Sequence, residues 1–552
     1  MNPPVLHPVD AAIVGAYFLL VTVFGVWAGR RRIRTADALF LADREATWPL
    51  IGASMFSANI SSQQFVGQAG LAYTIGLAAG SFQLIGAACF ALLAVFFVDV
   101  YLGLRLRTAP EFFERRYGTG ARLFVAGINV VMIVAANLAT ALYAGATVLS
   151  GVVGADVAPF GAAVLAIAAA AGAYAVLGGL RSVLWTDLVQ TALLVAGGIT
   201  TLVAALTAAG GWAAVRDAHD ASGRSLWSVV QPWDHAFGWL PLLTGALILG
   251  VHGHCTDHDY VQRALAARSR FHAKMGALFA AFLKLVALLA IAAPGVVAAK
   301  LLPGLAHPDR AYVELVNTYL PPGWKGLVLA GLLASILGTV AAGLAAAAAM
   351  LTLDFAVRLR PGLSERGRVR LGRGLMVLLL LIGAALAPGI RDYGGVFKYL
   401  VQLWSLLAPP VFVCVVAGVF TIGATRRGAT ATLAVGTLLG ATAFPALSDP
   451  ATLATLPIYL RSPLNCGFVI ALVCAGTMAW ASRGGNPAGT TPPGIWRRGV
   501  DAHDGMTARE RQLYRTALAT LAATWLAVVV WFSPWGWATH RPETRPTPAA
   551  AP

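Results

Sequence analysis

Charge is scarce in this chain, and long polar stretches are scarcer still. Only 12% of its 552 residues are Asp, Glu, Lys or Arg, too few to clothe a water-soluble domain of this size. Cysteine is sparse as well. Cys89, Cys255, Cys414, Cys466 and Cys474 all fall in or at the ends of apolar runs, without a CxxC spacing, which excludes a disulfide frame and gives no zinc motif. There is no HExxH motif and no nucleophile–base pair that would suggest a membrane enzyme. The excess of cations, a formal net charge of +16, invites a nucleic-acid reading, but the placement of those cations excludes it.

What is present is hydrophobicity in runs of about 20 residues, the length that crosses a bilayer. Mean hydropathy is +0.72. Fourteen spans are predicted, at 9–28, 47–72, 76–102, 122–151, 156–177, 183–208, 238–262, 273–300, 325–357, 371–389, 395–422, 429–447, 465–482 and 513–537. With the N-terminus outside and the chain alternating, 29 of the 40 Lys and Arg face the cytoplasm, in clusters such as Arg30–Arg34, Arg263–Lys274 and Arg358–Arg373. This is the positive-inside distribution, and dropping one span would put the later clusters on the wrong side. Both termini are expected outside. The start of the chain lacks a cleavable signal pattern, because Asp10–Gly29 is followed by Arg30-Arg31-Arg32.

Two spans are interrupted. Ser57–Gln64 places amides and hydroxyls at mid-membrane depth, and Gly250–Asp259 brings His252, His254, Asp257, His258 and Asp259 into the seventh span. Polar groups in hydrocarbon cost several kcal/mol unless protein, water or ligand satisfies them, so such breaks point to a binding site. The two breaks lie five spans apart in oppositely directed helices, the mark of an inverted-repeat transporter. Spans two to six and seven to eleven form the two halves.

At these residues the chain resembles the sodium/solute symporter family, especially its sodium/glucose branch. Five segments carry the likeness: Phe40–Gly70, Gly178–Thr191, Cys255–Arg268 with FLKL and APG after it, Gly326–Asp354 and Tyr399–Phe420. The resemblance implies an all-α polytopic membrane protein of the LeuT type, a five-plus-five inverted repeat with about 14 transmembrane helices. Residues 1–46 would hold the first additional helix and a basic loop, 47–422 the transport core, and 423–552 additional helices and a tail.

The resemblance also implies sites. The shared sodium site falls at Ser57 and Ile60, through carbonyls, and at Ser335, Gly338 and Thr339. Gly338 departs from the family's usual hydroxyl residue. A possible second ion site falls at Asp187, but its partners are Ala341 and Ala342, which cannot coordinate an ion; the competing reading makes Asp187 a cytoplasmic-end residue bonded to backbone or Arg181. The solute site falls at Asn59, Gln64, Gln83, Asn137, Asp257 and Lys284. Hydroxyls both donate and accept, so amides, a carboxylate and a lysine suit a polyhydroxylated solute. Gln83 and Gly86 replace an acidic and a small polar residue, and Val401 replaces a glutamine, with Gln402 facing elsewhere. His254, with His252 and His258, lines the pocket, carries proton-linked chemistry or binds a metal.

The expected function is a secondary active symporter coupling inward sodium flow to uptake of a neutral, sugar-like or polyol solute, with Na+ as coupling ion. Its partners are the small solute and the lipid bilayer, not nucleic acid, and its place a bacterial inner membrane. Proton-coupled or sodium-independent transport on the same fold is the alternative. A sensor ranks lower because no kinase or response domain follows the core.

Overall fold

The computed structural model describes residues 7–28, 35–60, 64–153, 159–220, 222–233, 235, 237–393, 396–485, 493–496 and 505–539. Among them every regular element is a helix, and the β contacts are two isolated bridges. Alternating polarity, which would make strands, is absent, and Leu, Ala and Val runs satisfy every backbone group within one helix, as a bilayer demands.

Ten described helices are long and apolar enough to cross a membrane, from Gln64–Gly103 to Ala508–Trp531. Nine of them each coincide with one expected span, and Gln64–Gly103 runs from the end of the second through the third. The other four are helical but take different forms. Pro8–Ala28 is a helix of its own. The second span is split into Trp48–Asn59 and a segment from Gln64. The fifth and sixth join in one helix, Phe160–Ala208, 49 residues long, where a turn was expected near Arg181; the helix continues through Gly178 and Gly179 with Ala- and Leu-rich sequence on both sides. The seventh breaks at Asp257.

Burial orders these helices from centre to rim. The core is Trp324–Leu359, whose most apolar stretch is 94% buried, whereas only 11% of the corresponding stretch in Ala508–Trp531 is covered by protein. Small residues explain the central position. Ala341 through Ala349 are all buried, and the absence of bulky side chains lets Phe160–Ala208 and Trp48–Asn59 pack closely on that helix. Toward the rim, Leu165, Leu243, Leu381, Leu438 and Leu526 are exposed, a liability in water but the right surface for lipid.

Breaks and bridges position the site. Ile60 leaves the helix at φ −93°, ψ 96°, and Asp257 leaves it at φ −65°, ψ 126°. Gly76 turns the chain again at φ +74°, where its lack of a side chain admits the Leu226 carbonyl, which accepts the Leu77 N–H at 2.6 Å. The two broken segments are tied together at one end: Ala46 N–H donates to Ala266 O and Arg268 N–H to Ala46 O, both at 3.0 Å. Near that end Arg122 pairs with Glu111, Glu114 and Asp354. Burial raises the Glu114 carboxyl, but Arg122 and Arg358 outweigh it and hold it below the usual glutamate range.

Candidate functional site

Between the two breaks, residues from three segments converge. Lys284, on Arg270–Ala287, is 3% exposed and donates from Nζ to Asn59 Oδ1. Asn59 in turn donates from Nδ2 to the Tyr260 hydroxyl at 2.9 Å. A buried ammonium needs such a partner. A Cβ placed on Gly86 would stand 3.2 Å from His254 Nε2 and 3.3 Å from Lys284 Nζ, so both nitrogens face the bare backbone of the helix Ser81–Leu92.

The His254 ring is fixed on three sides. Nδ1 lies 2.8 Å from Gly250 O, a carbonyl that only accepts, which makes Nδ1 the protonated nitrogen and leaves Nε2 an acceptor. The ring stacks on Tyr260 with centroids 5.5 Å apart and meets Phe90 edge-on at 4.4 Å. Its Nε2 is buried without a partner among the described residues.

The three histidines do not gather. The break at Asp257 separates His254 from His258 and removes the shared helix face on which a metal reading depends. His252 Nδ1 lies 2.9 Å from Thr256 Oγ1, and its ring lies 5.6 Å from Trp404. His258 Nδ1 accepts the Ala109 N–H at 3.3 Å. Among the described residues there is no group of three or more His, Cys, Asp and Glu suited to a metal.

The other expected solute residues have contacts of their own. Asp257 caps the helix that follows it, Oδ1 accepting from Asp259 N–H at 3.1 Å, and its Oδ2 has no partner among the described residues. Gln64 opens the π turn Gln64–Gln68, and its Oε1 likewise has none among them. Gln83 donates to Gln68 Oε1 at 2.5 Å. Asn137 is buried in another π turn, Ile133–Leu138. Gln402 does face elsewhere, donating to Ser448 Oγ at 2.7 Å.

Two of the expected ion residues, Ser57 and Gly338, meet at Gln190, which the sequence reading did not single out. Ser57 Oγ donates to Gln190 Oε1 at 3.3 Å. A Cβ on Gly338 would collide with that same Oε1 and stand 3.0 Å from Asp187 Oδ1. Two side-chain oxygens from Phe160–Ala208 thus approach the point where a hydroxyl residue was expected. Thr339 Oγ1 and Asp187 Oδ1 are buried without partners among the described residues, while Ser335 donates its hydroxyl to Leu332 O at 2.7 Å. Ile60 marks the helix end. Sodium is a hard cation that takes oxygen ligands, and this oxygen-only donor set fits it.

Asp187 corrects one expectation. Asp187 is not held by Arg181, which pairs instead with Glu45 at 3.1 Å. Asp187 is fully buried and accepts from Ser54 Oγ at 2.5 Å. Ser54 Oγ also accepts from Arg263 Nε at 2.9 Å, and Arg263 pairs with Asp259 at 2.8 Å. Burial without release of the carboxylate is possible because this chain of polar partners runs across both broken helices. Ala341 and Ala342 leave Asp187 without hydroxyls from that turn.

The opposite side of the site is covered by the 302–323 connection. Tyr73 donates its hydroxyl to Leu302 O at 2.8 Å, and Phe65 meets Tyr312 edge-on at 5.0 Å. Asp309, in the turn Pro308–Arg310, packs on Gly70. Burial pushes its carboxyl up to about 6, against the pull of a Val396 backbone hydrogen bond and of His307.

Comparison with known proteins gives this geometry its context. The family model described as the sodium:solute symporter family matches residues 39–436. The chain belongs to the sodium:solute symporter family. Among its relatives, the sodium/glucose cotransporter of Vibrio parahaemolyticus is 29% identical over 450 residues, covering 76% of this chain and 82% of that protein. Sodium/myo-inositol cotransporter 2 of Mus musculus is 31% identical over 472 residues, covering 79% and 70%. A Na+-coupled sialic acid symporter, solved in a substrate-bound outward-open state, shares the fold with a TM-score of 0.73 at 18% identity, over 86% of this chain and 97% of that one. Mhp1 follows with a TM-score of 0.52 at 14% identity, covering 82% and 96%. This symporter-family member is a multi-pass membrane transporter rather than an enzyme.

Proposed function

We propose that this symporter couples inward sodium flow to uptake of a neutral polyhydroxylated solute, a sugar or polyol, by alternating access. The observation that carries the reading is the Lys284–Asn59–Tyr260 chain beside Gly86 and His254, set between the breaks at Ile60 and Asp257. It offers donors and acceptors together, as hydroxyls require. The sugar and inositol relatives support the same class. A carboxylate solute would call for a free guanidinium, and Arg122 on Thr119–Met132 is engaged by Glu111, Glu114 and Asp354.

The coupling ion enters through the oxygens of Ser57, Gln190, Asp187 and Thr339 and the helix end at Ile60, with Gly338 giving those oxygens room. Sodium bound there supplies a positive charge that draws the two halves together across that gap. The chain's own part is to hold the oxygens apart from water and to exchange the Ser57–Gln190 contact for ion contacts. Without hydroxyls at Ala341 and Ala342, one sodium accompanies each solute. Asp187 beside Gly338 favours one competing reading, in which a proton couples transport.

The architecture that goes with this function is a LeuT-type five-plus-five core over 47–422, flanked by additional helices in 1–46 and 423–552. The chain crosses a bacterial inner membrane fourteen times with both termini outside, an arrangement supported by the charge distribution. Proteoliposome uptake with imposed ion gradients is the test. Sodium-driven accumulation of D-glucose or myo-inositol, lost in Thr339→Ala, is expected. Uptake driven by a pH gradient without sodium would replace this reading with the proton-coupled one, and a two-to-one sodium ratio would refute the single site.

A further inference from the structure

A hydrogen-bond relay outside the Lys284 cluster has a polarity that chemistry dictates. It begins at the Ala79 carbonyl, which can only accept. Gln68 Nε2 lies 2.7 Å from that oxygen, so the Gln68 amide must turn its NH2 toward Ala79 and its Oε1 away. That Oε1 lies 2.5 Å from Gln83 Nε2, and since an oxygen there can only accept, Gln83 must present its own NH2 to Gln68. The atom of Gln83 left over is Oε1, which is buried without a partner among the described residues. Gln68 and Gln83 are 0% and 1% exposed, so water cannot substitute if either amide reverses, and reversal would set oxygen against oxygen.

The leftover oxygen lies at the solute site. Gln83 is three residues before Gly86 on the helix Ser81–Leu92, and residues at that spacing share a face. Gly86 is the point at which Lys284 Nζ and His254 Nε2 converge. Gln68 lies four residues after Gln64, at the other end of the same π turn.

We infer that Gln68 is a positioning residue: through Gln83 it presents the solute with a fixed acceptor, and so selects solutes that carry a hydroxyl or N–H donor at that point. The inference rests on the solute site proposed above. A group that only accepts, such as fluorine or an ether oxygen, finds an opposing oxygen there. So does a carboxylate placed at position 83 itself, because Gln68 meets it with its oxygen.

Two arms test this in purified protein. The first measures competition by D-glucose, myo-inositol and the deoxy and deoxyfluoro derivatives of each. In the unmodified protein, one ring position should tolerate neither change, the deoxyfluoro compound binding about tenfold or more below its parent. In Gln68→Met the Gln83 amide is released to turn, and the deoxyfluoro compound should regain about threefold or more over the deoxy one. Unchanged discrimination in Gln68→Met overturns the inference.

The second arm needs no solute. Unfolding midpoints at pH 8 are compared for Gln83→Glu, Gln68→Met and the double variant. If Gln68 faces position 83 with a fixed oxygen, the drop caused by Gln83→Glu should shrink in the Gln68→Met background, and folding of Gln83→Glu only in that background counts the same way. An equal or larger drop means that Gln68 turns its NH2 to the carboxylate, which overturns the fixed polarity. If no sugar or inositol binds, the proposed solute class fails, while this arm still decides the role of Gln68.

Discussion

Gly338→Ala is the most informative single substitution in the ion region, because two effects oppose each other there. Alanine in place of a mid-helix glycine ordinarily stabilises by about 0.5–1 kcal/mol. Here the added Cβ overlaps Gln190 Oε1 and sits 3.0 Å from Asp187 Oδ1. Asp187 need yield only slightly, but Gln190 has to retreat. Its retreat gives up the Ser57 hydroxyl contact at 3.3 Å and leaves a buried polar atom unpaired, which costs about 1–3 kcal/mol. The loss outweighs the propensity gain, with a net destabilisation of about 1–2 kcal/mol. That is roughly a 5- to 30-fold fall in the folded/unfolded ratio, and the displaced Gln190 oxygen should separately raise the half-saturating sodium concentration. Gln190→Ala removes the overlapping oxygen, so in the double variant the Gly338→Ala penalty should fall by about 1 kcal/mol or more, a coupling expected only between residues in contact. The assay is sodium-dependent uptake in proteoliposomes, paired with thermal melts. Strict additivity of the two substitutions, or a Gly338→Ala protein with unaltered sodium dependence, would refute the reasoning.

Three further outcomes are expected. Asn59→Ala or Gln64→Ala should weaken solute affinity by roughly 5- to 150-fold, since removing a buried hydrogen-bond partner costs about 1–3 kcal/mol, and Lys284→Ala should cost at least as much; full affinity in all three, measured by binding, puts the solute elsewhere. His252, His254 and His258 occupy separate places, so Gln or Asn at each should preserve sodium-driven uptake, His254 alone altering selectivity; loss of accumulation with retained exchange of labelled solute would instead mark a proton carrier. Asp309 favours its protonated form when packed, so its stabilising contribution is present at low pH and lost as pH rises through about 6. The unfolding midpoint should therefore decline from pH 5 to pH 7.5 more in the unmodified protein than in Asp309→Asn, and equal slopes refute the assignment.

Legibility in the sequence followed the range of the interaction. The breaks at Ile60 and Asp257 were readable because amides, hydroxyls and histidines stand out locally against hydrocarbon-compatible neighbours. Lys284 was readable for the same reason, and its pairing with Asn59 supplies the partner that its burial demanded. Gln190 and Tyr260 carried no comparable local signal. Each acts through contacts between helices far apart in the chain, Tyr260 with Asn59 and Gln190 with both Ser57 and the bare backbone at Gly338. The partner of Asp187 was misread because Arg181 nearby offered an obvious pair, whereas Ser54, itself held by Arg263, reaches it only after the broken helices come together. The boundary expected near Arg181 left no helix break although Gly178 and Gly179 oppose helix locally, because the Ala- and Leu-rich sequence on either side outweighs two glycines.

The pairing of Ala46 with Ala266 and Arg268 bears on leak. Two backbone hydrogen bonds clamp the chain entering one discontinuous helix to the chain leaving the other, so a tilt of either half-helix pulls on its counterpart. Under the proposed coupling, an ion at Ser57 and a solute at Asn59 and Tyr260 would act on one joined unit. A transporter whose two half-helices swung independently would let either passenger slip through alone and dissipate the gradient as heat. Here the two half-helices meet at Ala46, buried and bonded through both its N–H and its carbonyl, so any coupling between them has a route through backbone alone.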